Sequence, residues 1–374
     1  MNDLLSDCST QLRDAIHFLQ TMVQMESPSF DKPLVDDLVR FIAKRFAEIG
    51  GEIEFARAEH AGDHLIVRFA GKTSKRVLLL GHTDTVWPKG ELKQRPFKID
   101  SGRAFGPGVV DMKAGILLMW MALGSLRKRG LENSATVLLT SDEEIGSQSS
   151  RALIEQEAKT CEAALVLEPA LPGGALKTAR KGVGRFTVKA IGKAAHVGIA
   201  PRNGINAIEE IARQILKIHK MTDSASGTTV TVGVVQGGTR SNVVPAEAVV
   251  EVDARVTSMQ EAERILKTIM ELSPELPGAR LEIRGAISRP PMERSPATGR
   301  LFDLARNIAA QLGMDLHEGS TGGASDGNFT AALGVPTLDG LGAIGGGAHA
   351  VDEWVDVEAL PKRAALLAGL VNAI

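Results

Sequence analysis

The stretch ATVLLTSDEEIGSQSSRALIEQEAKTCEAALVLE, residues 135–168, decides the fold. It opens on an apolar run at 135–140, short enough for a strand, and passes straight into the acidic turn Asp142-Glu143-Glu144. Residues 147–158 read as a helix, and a second apolar run covers 163–167. Strand, helix and strand in succession argue an α/β sheet with substantial parallel character. In such sheets the chemistry gathers beyond the carboxyl ends of the strands. Both runs here end on acids, Glu143-Glu144 and Glu168.

The pattern extends in both directions. Residues 6–24 and 33–49 carry apolar side chains at three- and four-residue spacing, and Gly50-Gly51 stops the second helix. Strand-like runs follow at 63–70 and 76–81, and a helix is expected over 112–129, ending at Gly130. Beyond 183 the pattern changes. GRFTVKAIG is strand-like, 205–221 helical, TTVTVGVVQGG and EAVVEVDARV strand-like, 259–272 helical and ARLEIRGA strand-like. This β-α-β-β-α-β order is that of a ferredoxin-like α+β sandwich. After 289 a helix, a glycine-rich loop, a strand and a final helix return. A chain of 374 residues exceeds the ~250–300 at which single cores stop growing. We therefore expect a catalytic domain in two parts, 1–179 and 289–374, with residues 180–288 inserted between them.

With 44% hydrophobic and 24% charged residues, this is an ordinary globular composition. A net charge of -2 predicts neither a nucleic-acid nor a membrane partner. The longest apolar stretch, 116–124, is too short to span a bilayer. MNDLLSDCST lacks the basic start and apolar core of a signal peptide, and Cys8 and Cys161 are too few for a disulfide framework. A cytoplasmic protein with two reduced thiols is expected.

Five metal-type side chains sit at the ends of apolar runs or in glycine-rich loops: His82 in LLLGHTDT, Asp111 in GPGVVDMKAG, Glu144 in SDEEIGS, Glu168 in LVLEPA and His349 in GGGAHAVDEW. Two imidazoles and three carboxylates suit a pair of divalent metals better than one, with one carboxylate bridging. Such a site activates water and clamps a polar carbonyl or phosphoryl group, which reads as a hydrolase. Asp84 shares a strand face with His82 and can accept a hydrogen bond from its ring. Adjacent acids diverge, so Glu144 is assigned as ligand and Glu143 as general base, close to the reacting water without being locked to metal. Taken singly, each position has a plainer reading. Asp111 is then a helix N-cap, Glu143-Glu144 a solvated acidic loop, Glu168 a rim residue and His349 a surface histidine. Their joint occurrence is what carries weight.

Three other readings compete. Gly323-Ala324-Ser325-Asp326-Gly327 fits G-x-S-x-G, with Asp339 and His349 following in serine-hydrolase order, but GSTGG before Ser325 is no strand. Gly71-Lys72-Thr73 resembles the end of a phosphate-binding loop, yet the first glycine would fall at Ile66. A non-catalytic binding module is opposed by Glu143 standing beside all five ligand candidates.

Taken together, GHTDTV, GPGVVDMKAG, SDEEIGS, LEPA, GKAAHVG, GGTRSNVVP and GGGAHAVDEW resemble the dinuclear zinc metallopeptidases and deacylases that include carboxypeptidase G, acetylornithine deacetylase and succinyl-diaminopimelate desuccinylase. The likeness runs from 78 to the C-terminus and is nearest to the carboxypeptidase G branch. It implies two Zn²⁺ per subunit, with Co²⁺ or Mn²⁺ able to substitute, held by His82, Asp111, Glu144, Glu168 and His349, with Asp111 bridging. It implies Glu143 as base and Asp84 behind His82. The insert is then a lid that mediates homodimerisation, and its His196 stabilises the oxyanion in the partner's site. Asn242 and Arg255 resemble substrate-binding positions, and Arg289 resembles an arginine that holds the substrate α-carboxylate. The implied reaction is hydrolysis of an amide bond that releases a C-terminal amino acid from a peptide or N-acyl amino acid. PALPGGALKTARKG departs from the glutamate-specific members, although Lys177, Arg180 and Lys181 suit an acidic side chain.

Overall fold

The strands that build the two main sheets are β1 (Glu52–Ala56), β2 (His64–Phe69), β3 (Arg76–His82), β4 (Ser134–Thr140), β5 (Ala163–Val166), β6 (Gly182–Ile191), β7 (Thr229–Gly237), β8 (Glu247–Val256), β9 (Arg280–Arg289) and β10 (Thr337–Leu338) in a computed structural model that describes residues 1–374. The chain divides into two compact units. The first comprises Met1–Ala179, Arg294–Ser320 and Ser325–Ile374, and the second Arg180–Glu293 with Thr321–Ala324. The second unit thus runs past the 288 expected from the sequence. Arg180 and Met292 exchange backbone hydrogen bonds of 2.9 and 3.0 Å, which keep the exit from β9 paired to the entry into the unit.

In the first unit the sheet order is β1-β2-β4-β3-β5-β10. β3 pairs parallel with both β4 and β5, β10 extends β5 in parallel, and β1 and β2 add antiparallel pairings. The sheet is mixed and its centre parallel, as the sequence pattern implies. Both faces are covered. Val77, Leu79, Val137, Leu139 and Leu165 enter one cluster, while Leu78, Leu80, Leu138, Ala164 and Val166 enter another. That alternation explains why the central strands read as continuous apolar runs. β1 was not legible as a strand, because EIEFA is an edge strand with only Ile53 and Ala56 half-buried.

The helix Ala114–Arg129 is apolar on every side and is buried from Ala114 to Leu126. Val109–Arg129 is long and apolar enough to cross a membrane by length and composition, more than the nine-residue apolar stretch suggests, but 94% of its apolar window is buried in the protein. It is a core helix, packed against Leu360–Ala373. The expected helix over 6–24 is two, Asn2–Thr10 and Leu12–Gln24, meeting at Gln11.

The second unit has sheet order β7-β8-β6-β9, every pairing antiparallel. This is the ferredoxin-like order expected from the element succession. Phe186, Val188, Ala190, Val250, Val252 and Ala254 share a cluster with Ile211 and Ile218 of helix Ala207–His219 and with Ile265 and Ile269 of helix Met259–Met270. Arg185, Thr187 and Glu251 alternate with them and are exposed, the one-sided pattern of an antiparallel sheet with one solvated face.

Candidate metal centre

Three neighbouring strands deliver the site. His82 is the last residue of β3, Glu143 and Glu144 follow β4 and Glu168 follows β5, so all four leave the carboxyl edge of the sheet's parallel centre. Asp111 comes from the loop before the core helix. It does not cap that helix. Lys113 stands at the N-cap, and Asp111 and Met112 have non-helical backbone, joined by a cis peptide. The loop that bends Asp111 inward therefore replaces the N-cap reading. His349 lies in a turn between short strands at Gly345–Gly346 and Trp354–Asp356, with φ +62, a left-handed conformation uncommon for a side-chain-bearing residue.

The five expected ligands form two half-sites around Asp111. Its Oδ1 lies 3.3 Å from His82 Nε2, which is 3.5 Å from Glu168 Oε1. Its Oδ2 lies 3.3 Å from His349 Nε2, which is 3.2 Å from Glu144 Oε2. His82, Asp111 and Glu144 also offer three ligand atoms all within 4.8 Å of one another. His82 is buried, whereas the His349 side chain is 53% exposed, so the site opens on that side.

The local hydrogen bonds argue for a cation. His82 Nδ1 is 3.0 Å from the backbone oxygen of Asp84, which can only accept, so Nδ1 is the donor. Nε2 then turns its lone pair toward two carboxylates unless a proton or a cation sits between. Glu144 Oε1 is buried with no hydrogen-bond partner, an atom that needs a cation or water. The donor set of imidazole nitrogens and carboxylate oxygens suits Zn²⁺ and similar divalent ions. Burial alone would raise the Asp111 carboxyl, but His349 and His82 against its two oxygens hold it below the usual carboxylate range. Asp111 and Glu144 lift the His349 ring to about 10. Burial lowers His82, yet Asp111, Asp84 and Glu168 outweigh it and hold the ring well above its ordinary value. Burial pushes the Glu144 carboxyl up. The protons so retained are the ones a metal would displace.

Asp84 is fully buried and organises the back of the site. Its carboxylate accepts from Ser29 Oγ at 2.7 Å and from the backbone N–H groups of Glu143 and Glu144 at 3.2 Å each. Its Oδ1 is 3.4 Å from His82 Nδ1, so the ring leans first on the Asp84 backbone oxygen and only then on the carboxylate. One residue thereby sets His82 and the Glu143-Glu144 turn together. Sequence reading missed two more contributors, Ser29 and Glu353. Glu353 is 1% exposed and accepts from Gly108, Val110 and Asp111 N–H and from the Trp87 indole. An acid between exposed Asp352 and half-buried Trp354 carries no periodic signal. Its burial depends on a contact more than 240 residues away in sequence.

The other expected residues belong to the second unit. His196 is exposed, its Nδ1 accepting from Gly198 N–H at 3.1 Å, and it forms a bridge with Val243 beside exposed Asn242. Arg255 on β8 and Arg289 on β9 both register with Val183 of β6, placing them on one cross-strand row. Arg255 is held by Asp253 at 2.7 and 3.0 Å, and Arg289 is buried.

Two rival readings fail on geometry. Ser325 is fully buried and donates to Asp339 Oδ2 at 2.7 Å while accepting from Gly327 N–H, and His349 turns to Asp111 and Glu144 instead of toward it. The backbone N–H groups of Lys72 and Thr73 are spent on Leu131 and Glu132 carbonyls, so Gly71-Lys72-Thr73 is a turn and not a phosphate cradle.

A fold of this order, with a two-sided cluster of histidines and acids at its parallel strand ends, defines a metallohydrolase. The chain belongs to peptidase family M20/M25/M40, whose family model matches residues 78–373. It is 30% identical over 99% of its length to carboxypeptidase G2 of Pseudomonas sp. (strain RS-16), covering 91% of that protein. It is 27% identical to a succinyl-diaminopimelate desuccinylase of Thioalkalivibrio sulfidiphilus, over 90% of this chain and 93% of that one. Aminopeptidase PepT from Bacillus cereus shares the fold, with TM-score 0.81 at 22% identity over 96% of this chain and 98% of that one. So does a dinuclear metal-binding M20 peptidase from Bacillus subtilis, with TM-score 0.71 at 18% identity over 97% and 98%.

Proposed function

We propose that this chain is a dinuclear zinc amidohydrolase of carboxypeptidase type, releasing a C-terminal amino acid from a small peptide or N-acyl amino acid. The observation that carries the reading is Asp111, whose two oxygens each face a different histidine at 3.3 Å, with Glu168 completing one half-site and Glu144 the other. Divalent ions held there would supply the Lewis acidity that brings water's pKa from ~15.7 towards ~7 and polarises a carbonyl.

The chain's own residues do the rest. Glu143 accepts a proton from the attacking water and returns it to the leaving nitrogen. Its backbone is tied to Asp84 Oδ1, so the base keeps its place relative to His82. Asp84 orients the His82 ring. In the second unit, the insert that we read as a lid, His196 is the donor for the developing oxyanion, Asn242 and Arg255 contact substrate and Arg289 holds its carboxylate. We read the protein as a cytoplasmic homodimer whose inserted units meet, so that His196 serves the partner's site. β7 supports this, because it is an edge strand with Val235 60% exposed, and an open apolar edge is a template for pairing.

The test is a screen of dipeptides and N-acetyl-, N-succinyl- and N-aroyl-amino acids with zinc-loaded protein, reading amino-acid release. Stripping with a chelator should abolish turnover, and Zn²⁺ or Co²⁺ should restore it. Full activity in exhaustively stripped protein would refute the reading. Preference for a short N-acyl group over a peptide would place the chain with the deacylases.

A further inference from the structure

We propose that Glu353 is a positioning residue that sets the His349–Asp111 half-site, and that its loss weakens one metal position and largely spares the other. The inference rests on the metal reading above.

The two ligand loops leave neighbouring strands. Trp354–Asp356 pairs antiparallel with Arg103–Phe105, Trp354 standing opposite Phe105. From that pair one chain runs on through Gly106-Pro107-Gly108 to Asp111, and the other runs back through Glu353 to His349. Nothing in the strand pairing itself fixes the distance between the loop tips. Glu353 does. Its Oε1 accepts from Val110 N–H at 2.8 Å and Asp111 N–H at 3.1 Å, and its Oε2 from Gly108 N–H at 2.9 Å and the Trp87 indole at 3.0 Å. A buried carboxylate with four donors on two oxygens is held by charge-assisted hydrogen bonds in a low-dielectric setting, where they are strongest.

The His349 side is built to reach that carboxylate. Ala350 N–H donates to Gly347 O at 2.8 Å and Glu353 N–H to Ala350 O at 3.2 Å, closing the turn on itself. Gly347 has φ +73, and a Cβ there would stand 2.9 Å from both N and Cα of Glu353, so only glycine allows the fold-back. Arg95 adds a second tie. Its guanidinium lies 3.8 Å from the Trp87 ring centroid and donates to Val351 O at 3.2 Å. Trp87, the Asp111 loop and the His349 loop therefore move as one piece.

The other half-site has separate support. His82 is held by β3, by the Asp84 backbone oxygen and by its own N–H against Met112 Sδ at 3.2 Å, and Glu168 directly follows β5. Met112 lies on the loop that Glu353 ties down, next to Asp111, the acid shared by both half-sites. The hold of β3, of the Asp84 backbone oxygen and of β5 on His82 and Glu168 does not pass through Glu353, whereas His349 and Asp111 both depend on it. A Gln at 353 keeps the shape but turns an NH₂ group toward N–H donors. Mutation of partners that orient metal ligands typically costs 10–100-fold in metal affinity. In E353Q this loss should fall on the step that His349→Ala also removes.

The experiment titrates Zn²⁺ into the stripped wild type, E353Q and His349→Ala against a chromophoric chelator. It also records the visible spectrum of the Co²⁺ forms and the melting of each stripped protein. The expected result is one binding step weakened 10–100-fold in E353Q, the other within about threefold, a changed Co²⁺ spectrum, and stripped protein that still melts cooperatively. Two native-strength steps with a native Co²⁺ spectrum would overturn the inference. Equal weakening of both steps would also overturn it, showing only general loosening. If E353Q does not fold, Trp87→Phe removes a single donor and must still shift the Co²⁺ spectrum, and no shift there counts against the proposal. Absence of any Zn²⁺ binding by the wild type would strike the metal reading itself, a failure visible before any variant is made.

Discussion

Replacing Asp84 by Asn tests the site's organisation with one atom changed. The carboxylate takes three donors, Ser29 Oγ at 2.7 Å and the Glu143 and Glu144 N–H groups at 3.2 Å, and sits 3.4 Å from His82 Nδ1. An amide offers one oxygen in place of two. The cheapest orientation keeps that oxygen for Ser29 and Glu144 and turns NH₂ toward Glu143 N–H. One partly buried backbone donor is then left without an acceptor, at about 1–3 kcal/mol. The ring also loses the negative charge behind it, and loss of such a partner typically lowers metal affinity 10–100-fold, about 1.4–2.7 kcal/mol. The two effects are separable. Urea unfolding of stripped protein should show the stability term, and Zn²⁺ competition the affinity term. Catalysis should fall further, because the Glu143 turn is anchored on the same carboxylate. A folded Asp84→Asn with native unfolding midpoint, native Zn²⁺ affinity and native turnover would refute the claim that Asp84 sets His82 and the acidic turn together.

Other outcomes follow from the same geometry. Glu143→Ala should lose roughly 10²–10⁴ in kcat while binding metal as tightly as the wild type, and near-normal turnover would remove Glu143 as the base. Ser325→Ala should cost about 1–3 kcal/mol of stability, since Gly327 N–H loses its acceptor, yet leave activity of the folded fraction intact; covalent capture at Ser325 by a serine-directed inhibitor would revive the serine-hydrolase reading. Gly115→Ala places a Cβ 2.1 Å from Leu167 O, next to Glu168, and should destabilise by about 1–3 kcal/mol with weakened Zn²⁺ binding; unchanged melting would show that the helix start yields freely. Arg264, then Thr228, hold Glu261 down to about 2 from 4.5. A carboxyl held lower in the folded state stabilises above the unfolded value, and that contribution is lost as pH falls from 4.5 towards 2. Glu261→Gln should therefore flatten the acid sensitivity of the second unit's unfolding over that window, followed by circular dichroism.

The sequence by itself carried the element succession, because it is written in local periodicity. β3, β4 and β5 are buried on both faces and read as unbroken apolar runs, and β6, β8 and the helix Ala207–His219 alternate with the period of one buried face. It carried the ligand candidates too, because chemistry at a parallel sheet's edge must follow strand ends, and His82, Glu144 and Glu168 do. It did not show that Asp111 turns away from the helix it precedes, since an N-cap and a ligand loop look alike until backbone angles are known. It did not single out Ser29 or Glu353, and it left β1 among loops. These depend on contacts between residues far apart in the chain, 55 positions for Ser29 with Asp84 and 242 for Asp111 with Glu353. The sequence says which groups are present at the strand ends. Only the packed fold, by desolvating a carboxylate and surrounding it with backbone donors from another segment, decides which acids face the two histidines and which, like Asp84 and Glu353, are buried behind them.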